Sequence, residues 1–258
     1  MAILCPLFSG SSGNATYIGY NGSGVLIDAG VSARRLDRAL ADNEIDSGRI
    51  LGLFVTHEHR DHVCGLSVFT RKHGTPVFCS DGTRAALERG GILSDAVAFS
   101  QQVEIGGFTV ARFATSHDCP DSSGYVITTP DGKRIAVCTD LGYVSAEVEA
   151  ALTGCHGVVL ESNHDLAMLR NGPYPPQLKR RILSDHGHLS NPSSADFAAR
   201  LAQSGTTRFV LAHISKENNT PAQALTCTRT RLALCGFEEG RDYTLTAAAP
   251  EGNGRMVI

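Results

Sequence analysis

Phe54-Val55-Thr56-His57-Glu58-His59-Arg60-Asp61-His62 is the stretch on which the fold turns. An apolar run ends at Thr56, and imidazoles at 57, 59 and 62 with a carboxylate at 61 follow at once. In an extended segment alternate side chains share a face, so His57, His59 and Asp61 point together. A turn into a helix just after them would swing His62 into the same region. Neutral imidazole and carboxylate suit Zn²⁺ and related divalent ions. A lone His-x-His pair carries little weight, since a single histidine beside a strand is normally solvated or hydrogen-bonded. This many ligand-type groups at the end of a hydrophobic strand would compete for the same hydrogen bonds without a cation. The spacing predicts a metal site.

Outward from that motif, short apolar runs bounded by Gly, Ser, Asn or Asp read as strands at 2–7, 15–20, 24–27, 51–56 and 76–79. A second series reads at 101–105, 108–115, 124–129, 134–139, 157–160 and 209–212, with two short runs near the C-terminus. Asn21-Gly22 and Asp131-Gly132 lie between strand-like runs, where Asx-Gly signals a hairpin. Caps place the helices: Ser32 before 33–43, Asp81 before 83–89, Ser145 before 146–152, Asn191-Pro192 before 193–203, and Pro221 opening 221–235. Only one strand and two helices read between Asp140 and His213. Hairpins in groups with helices between them predict two mixed β-sheets flanked by helices, an αββα sandwich. No repeat or linker divides the chain, so residues 1–258 read as one domain.

Composition sets limits on function. The 258 residues are 42% hydrophobic and 19% charged, ordinary for a soluble enzyme, and the formal net charge is −3. A chain that grips nucleic acid by its overall charge would show a basic excess. Any positive patch here must be local. The start, Met1-Ala2-Ile3-Leu4-Cys5-Pro6, has neither a basic n-region nor a long apolar run, so neither export nor a membrane span is expected. Eight cysteines are scattered without a Cys-x-x-Cys pair, which suits free thiols in a reducing cytoplasm.

His-x-His-x-Asp-His after a strand resembles the signature of the metallo-β-lactamase fold superfamily. Leu26-Ile27-Asp28-Ala29-Gly30 resembles its early strand and Asp-x-Gly turn. Thr115-Ser116-His117, Ala136-Val137-Cys138-Thr139-Asp140 and Val210-Leu211-Ala212-His213 are similar to the later strand ends that complete its centre. The resemblance implies two divalent ions per chain. His57, His59 and His117 would hold the first, Asp61, His62 and His213 the second, and Asp140 would bridge them. Zinc is expected first, with manganese and iron compatible with the same ligands. Asp61 would also orient a bridging water, and Asp28 would order ligand loops rather than bind metal.

That superfamily acts on lactams, thioesters and phosphodiesters, so its fold alone does not choose a substrate. Ser9-Gly10-Ser11-Ser12-Gly13-Asn14 is a small loop whose Ser11 and Asn14 could meet a phosphate, although it lacks the lysine of a P-loop. With Leu160-Glu161-Ser162-Asn163-His164-Asp165, Gly187-His188-Leu189-Ser190-Asn191 and the segment from Leu211 through Lys216 to Asn219, it resembles the YycJ/WalJ-like branch. The similarity runs from Ser9 to Asn219. It implies a metal-dependent phosphodiesterase acting on nucleic acid, DNA ahead of RNA, as a 5′-to-3′ exonuclease. His188, in a loop before a helix start, is then the candidate for protonating the leaving oxygen. His164 is placed at the site edge, and Lys216 and Asn219 near a phosphate. Lys179-Arg180-Arg181 reads as an exposed helix face.

Three alternatives stand beside this reading. One is a phosphodiesterase for small cyclic or nucleotide substrates, which the near-neutral charge suits. Another is β-lactam hydrolysis, against which the start without an export signal weighs. The last is a non-catalytic, metal-stabilised nucleic-acid-binding protein, against which the surplus of ligands over a closed four-ligand structural site weighs.

Overall fold

A computed structural model describes residues 1–252 and 254–258. The first half runs β1 (Ala2–Phe8), β2 (Ala15–Tyr20), β3 (Ser23–Ile27), α1 (Ala33–Asp42), β4 (Ile50–Phe54), α2 (Arg60–Val63), α3 (Leu66–His73), β5 (Val77–Cys79), α4 (Asp81–Arg89) and β6 (Val97–Ala98). The second begins with β7 (Gln102–Ile105), β8 (Phe108–Ala114), β9 (Ser123–Thr128), β10 (Arg134–Cys138), α5 (Ala146–Leu152) and β11 (Gly157–Glu161). It ends with α6 (Leu166–Asn171), α7 (Pro176–Ile182), α8 (Asn191–Gln203), β12 (Arg208–Ala212), α9 (Pro221–Leu234), β13 (Thr244–Ala247) and β14 (Met256–Val257).

Residue alternation builds the layers. In β3, Val25 and Ile27 join one apolar cluster while Leu26 joins another; in β10, Ile135 and Val137 part from Ala136 and Cys138 in the same way. Strands buried on both faces must be sandwiched. The shared inner cluster, with Ile18, Phe54, Tyr125, Val159 and Val210, lies between a seven-stranded sheet ordered β14-β1-β2-β3-β4-β5-β6 and another ordered β13-β12-β11-β10-β9-β8-β7. Leu36 and Leu40 of α1, Phe69 of α3 and Leu87 of α4 cover the first sheet's outer face. Val148 of α5, Phe197 of α8 and Leu232 of α9 cover the second's. The expected αββα sandwich is the fold. At Asn21-Gly22 both residues take positive φ, 50° and 80°, as the tight β2–β3 hairpin requires.

Two readings need correction. α4 begins at Asp81, because Ser80, not Asp81, is its cap and accepts from Thr83 N at 3.1 Å. Between Asp140 and His213 there are two strands rather than one, β11 and β12, and two additional short helices, α6 and α7. Gly172, Pro173, Pro175 and Pro176 break that stretch up and helices this short carry almost no periodicity, so beyond the exposed face at 179–181 neither helix reads from the sequence. All eight cysteines are free thiols. No helix among the described residues is long and apolar enough to cross a membrane.

One inner-layer residue ties core to site. Tyr125 is fully buried, and its hydroxyl donates to the carbonyl of Val55 at 2.5 Å, just before the His57 motif. Tyr125→Phe leaves that carbonyl unpaired in an apolar layer, a cost of about 1–3 kcal/mol. The expected result is a thermal midpoint several degrees lower, read by calorimetry; an unchanged midpoint would mean the bond contributes nothing.

Candidate metal centre

Parallel strands deliver the site. β3 pairs with β4 in one sheet, and β10, β11 and β12 run side by side in the other. The C-terminal ends of such strands are where open α/β sheets gather ligands. Asp28 follows β3, the histidine motif follows β4, Asp140 follows β10, Glu161 ends β11 and His213 follows β12. Asp28, Asp140 and His213 all take left-handed backbone, with φ of 62°, 58° and 54°. Such conformations cost on the order of 1–3 kcal/mol and persist where surrounding structure over-determines them. Gly30 supplies the close approach that locks the first loops. Its N–H donates to Asn14 O at 2.8 Å, and a Cβ there would run into the backbone of Asp61.

Ligand-type atoms converge on this edge. Those of His57, His59 and His117 lie within 4.8 Å of one another, as do those of Asp61, His62 and His213. Asp140 joins His57 and His62 in a third group, and Glu161, His188 and His213 in a fourth. Every residue expected to bind metal falls in these groups.

Carboxylates fix the rings. Asp28 Oδ2 accepts from His62 Nδ1 at 2.8 Å, which leaves His62 Nε2 facing Asp140 Oδ2 at 3.4 Å and Asp61 Oδ2 at 3.7 Å. Asp28 Oδ1 accepts from Thr56 N at 2.8 Å, and the Thr56 hydroxyl is 3.1 Å from His57 Nδ1. Asn14 sits beside this pair, its amide nitrogen 3.1 Å from His62 Nε2 and its oxygen accepting from Gly10 N at 2.9 Å.

The residue the sequence reading left without a role is Glu161. It is fully buried, and its Oε1 takes His213 Nδ1 at 2.7 Å and His188 Nδ1 at 2.9 Å. Its Oε2 accepts from Leu189 N at 3.0 Å and Leu141 N at 3.2 Å, the amides that follow His188 and Asp140. One carboxylate therefore holds two rings and two loops. Register is the signal that could have found it: Glu161 stands level with Ala212, one residue before His213.

The electrostatics call for a cation. Burial disfavours charge on His62, but Asp28 and Asp140 outweigh it and lift its pKa to about 9. His213 is likewise raised against burial by Asp140, Asp61 and Glu161. His57 goes the other way, kept well below the usual range by burial and its neighbour His62. Burial opposes the charge of Asp140 too, yet His213, His62 and His57 hold it well below the usual carboxylate range. Asp140 Oδ2 and His213 Nε2 are buried without hydrogen-bond partners, and both are atoms a divalent ion would take. The residues fit the metal they imply.

Four expected residues lie apart from the donor groups. Ser11 and Lys216 are exposed at the surface. Asn219 is buried, and its amide is spent on Ser162 O, Asn191 and Thr220 N, so it braces loops and has no free donor for a phosphate. His164 is buried with neither ring nitrogen bonded, and burial takes its pKa down to about 4.

The family model described as the beta-lactamase superfamily domain matches residues 24–214. The chain is 35% identical over 250 residues to a Bacillus anthracis protein named exodeoxyribonuclease YycJ, covering 95% of this chain and 94% of that one. It is 32% identical over 252 residues to exodeoxyribonuclease WalJ of Streptococcus pneumoniae, covering 95% and 93%. Among solved structures, the metallo-β-lactamase fold protein YhfI of Bacillus subtilis superposes with a TM-score of 0.71 over 97% of each chain, at 14% identity.

Proposed function

The chain belongs to the beta-lactamase superfamily, as a YycJ/WalJ-like member and a metal-dependent hydrolase, and from that premise we propose that it is a dinuclear nuclease that removes nucleotides from DNA in the 5′-to-3′ direction. The observation that carries the reading is the two donor triads flanking Asp140, with His188 set beside them. His57, His59 and His117 would hold one ion, Asp61, His62 and His213 the other, with Asp140 between them and zinc the first candidate. Ions bound there would make water more acidic at neutral pH and offset charge on the phosphoryl oxygens.

The chain's own groups do the rest. Asp61, partly exposed beside His62 and His213, would accept a hydrogen bond from the attacking water. Water adds to phosphorus, the P–O3′ bond breaks, and the departing oxygen needs a proton. His188 can give it from Nε2, since its Nδ1 is held by the Glu161 carboxylate. Its side chain is only 15% exposed, so the ring is held at the cleft edge rather than free in solvent.

The test is digestion of 5′- and 3′-labelled DNA and RNA, single- and double-stranded, with Zn²⁺ or Mn²⁺. Stepwise loss from the 5′ end of DNA is expected, slowed about 10²–10⁴-fold in His188→Ala, the usual range for a general acid. A folded, metal-loaded protein that leaves every polymer intact would overturn the nucleic-acid reading, and cleavage of small cyclic diesters instead would install the narrower one.

A further inference from the structure

Residues 166–184 carry Arg170, Lys179, Arg180 and Arg181 and not one Asp or Glu, in a chain whose net charge is −3. Several exposed arginines elsewhere are neutralised, as Arg200 is by Glu149 at 2.8 Å, Arg229 by Glu239 at 2.6 Å and Arg231 by Asp196 at 2.6 Å, whereas Arg34, Arg60, Arg71 and Arg89 stand singly without a carboxylate partner among the described residues. Arg170 and Arg180 are exposed and have no carboxylate partner among the described residues. Lys179 has none either; its ammonium donates to the carbonyl of Arg170 at 2.8 Å, which clamps α7 to the end of α6 and concentrates the charge.

This basic element abuts the metal centre. The carbonyl of Ile182, the last residue of α7, accepts from His188 N at 3.1 Å. Arg181 Nε is 2.5 Å from Asp118 Oδ2, and the other Asp118 oxygen is 3.3 Å from His117 Nε2. On the same side stands Tyr143, 47% exposed, its N–H donating to Ser116 Oγ at 3.2 Å. The preceding residue, Gly142, packs so tightly on the backbone of Ser184 and Asp185 that a Cβ would collide there. An exposed aromatic thus sits between the His117 loop and the α7 loop. Unpaired cations that follow a phosphate backbone, with an aromatic face on which a base can stack, are what a single-stranded nucleic acid binds.

We propose that α6–α7 and Tyr143 form the track along which the nucleic-acid strand enters, Arg170, Lys179 and Arg180 binding its phosphates and Tyr143 stacking a base beside the metal centre. The inference rests on the nucleic-acid reading above and says where that polymer lies. It also explains how an acidic chain can take a polyanion: the attraction is local.

The experiment compares metal-loaded wild type, Lys179→Ala/Arg180→Ala and Tyr143→Ala, with circular dichroism and metal content as checks on folding. Each is assayed on single-stranded DNA across a salt series and on bis(4-nitrophenyl) phosphate, which is too short to reach α7. For the double variant the plot of log affinity against log salt should become shallower by about 1.4, the single-strand value for two lost contacts, and the DNA-to-diester ratio of kcat/KM should fall about tenfold or more. Tyr143→Ala should weaken DNA binding about tenfold with the wild-type salt slope. A wild type that degrades DNA, with variants matching it in slope and ratio, would overturn the track and leave the function standing. A wild type that hydrolyses the diester yet neither binds nor cuts DNA or RNA would take down both.

Discussion

Asp140→Asn is expected to reduce hydrolysis at least about 10³-fold, equivalent to about 4 kcal/mol of barrier, while the protein stays folded. Asparagine is the informative substitution because residue 140 has a φ of 58°. Asn and Asp tolerate that left-handed backbone better than Ala, so the change removes charge without adding strain. What is lost is the one carboxylate in contact range of both halves of the centre: Asp140 is 3.4 Å from His62 and from His213 and 3.9 Å from His117. Its Oδ2 is buried without a hydrogen-bond partner, an atom a divalent ion would take. Metal content by mass spectrometry should fall below that of the wild type alongside the rate. An Asp140→Asn protein with full metal and undiminished rate would remove Asp140 from the centre altogether.

The donors were legible because metal chemistry restricts residue types and strand ends are easy to find. His57, His59, Asp61 and His62 announce themselves by density, and Asp140 and His213 each close an apolar run. The αββα layering was legible because hairpin-joined groups of strands alternate with helices, and the burial of strands such as β10 on both faces agrees with it. What stayed hidden was either too short or too ordinary. α6 and α7 have six and seven residues, with Gly172, Pro173 and Pro175 between them, below the length at which periodicity speaks. Lys179-Arg180-Arg181 therefore read as an exposed face, which is correct as far as it goes, but nothing in the sequence says that the face adjoins His188. Glu161 is the opposite case. A glutamate closing Val-Val-Leu reads as the polar end of a strand, and only the pairing of β11 with its neighbours puts it under two histidines. Asn219 reads as a phosphate contact because it follows His213 in sequence, but it is buried with its amide bonded to Ser162 O and Asn191.

Glu161→Gln should be nearly as damaging as loss of a ligand, though Glu161 need touch neither metal nor substrate. Its two oxygens face four donors: two imidazole N–H groups on one side and two backbone amides on the other. Glutamine has one oxygen and one NH₂, so whichever way the amide turns, donors face donors on one side. Each buried group left unpaired costs about 1–3 kcal/mol, and breaking a buried charged network costs roughly 3–5 kcal/mol. The rings would lose orientation together, and groups that orient metal ligands are typically worth about 10–100-fold in affinity or rate. Two readouts separate the two arms. Through His213, metal affinity should drop in titrations against a chelator. Through His188, kcat should drop even at saturating metal. In a His188→Ala background the second effect should vanish and the first persist, because the proton donor is already gone while His213 still needs its acceptor. Equal losses from Glu161→Gln in both backgrounds would mean that Glu161 does not work through His188. A fully active, fully loaded Glu161→Gln protein would show that the rings hold their places without it.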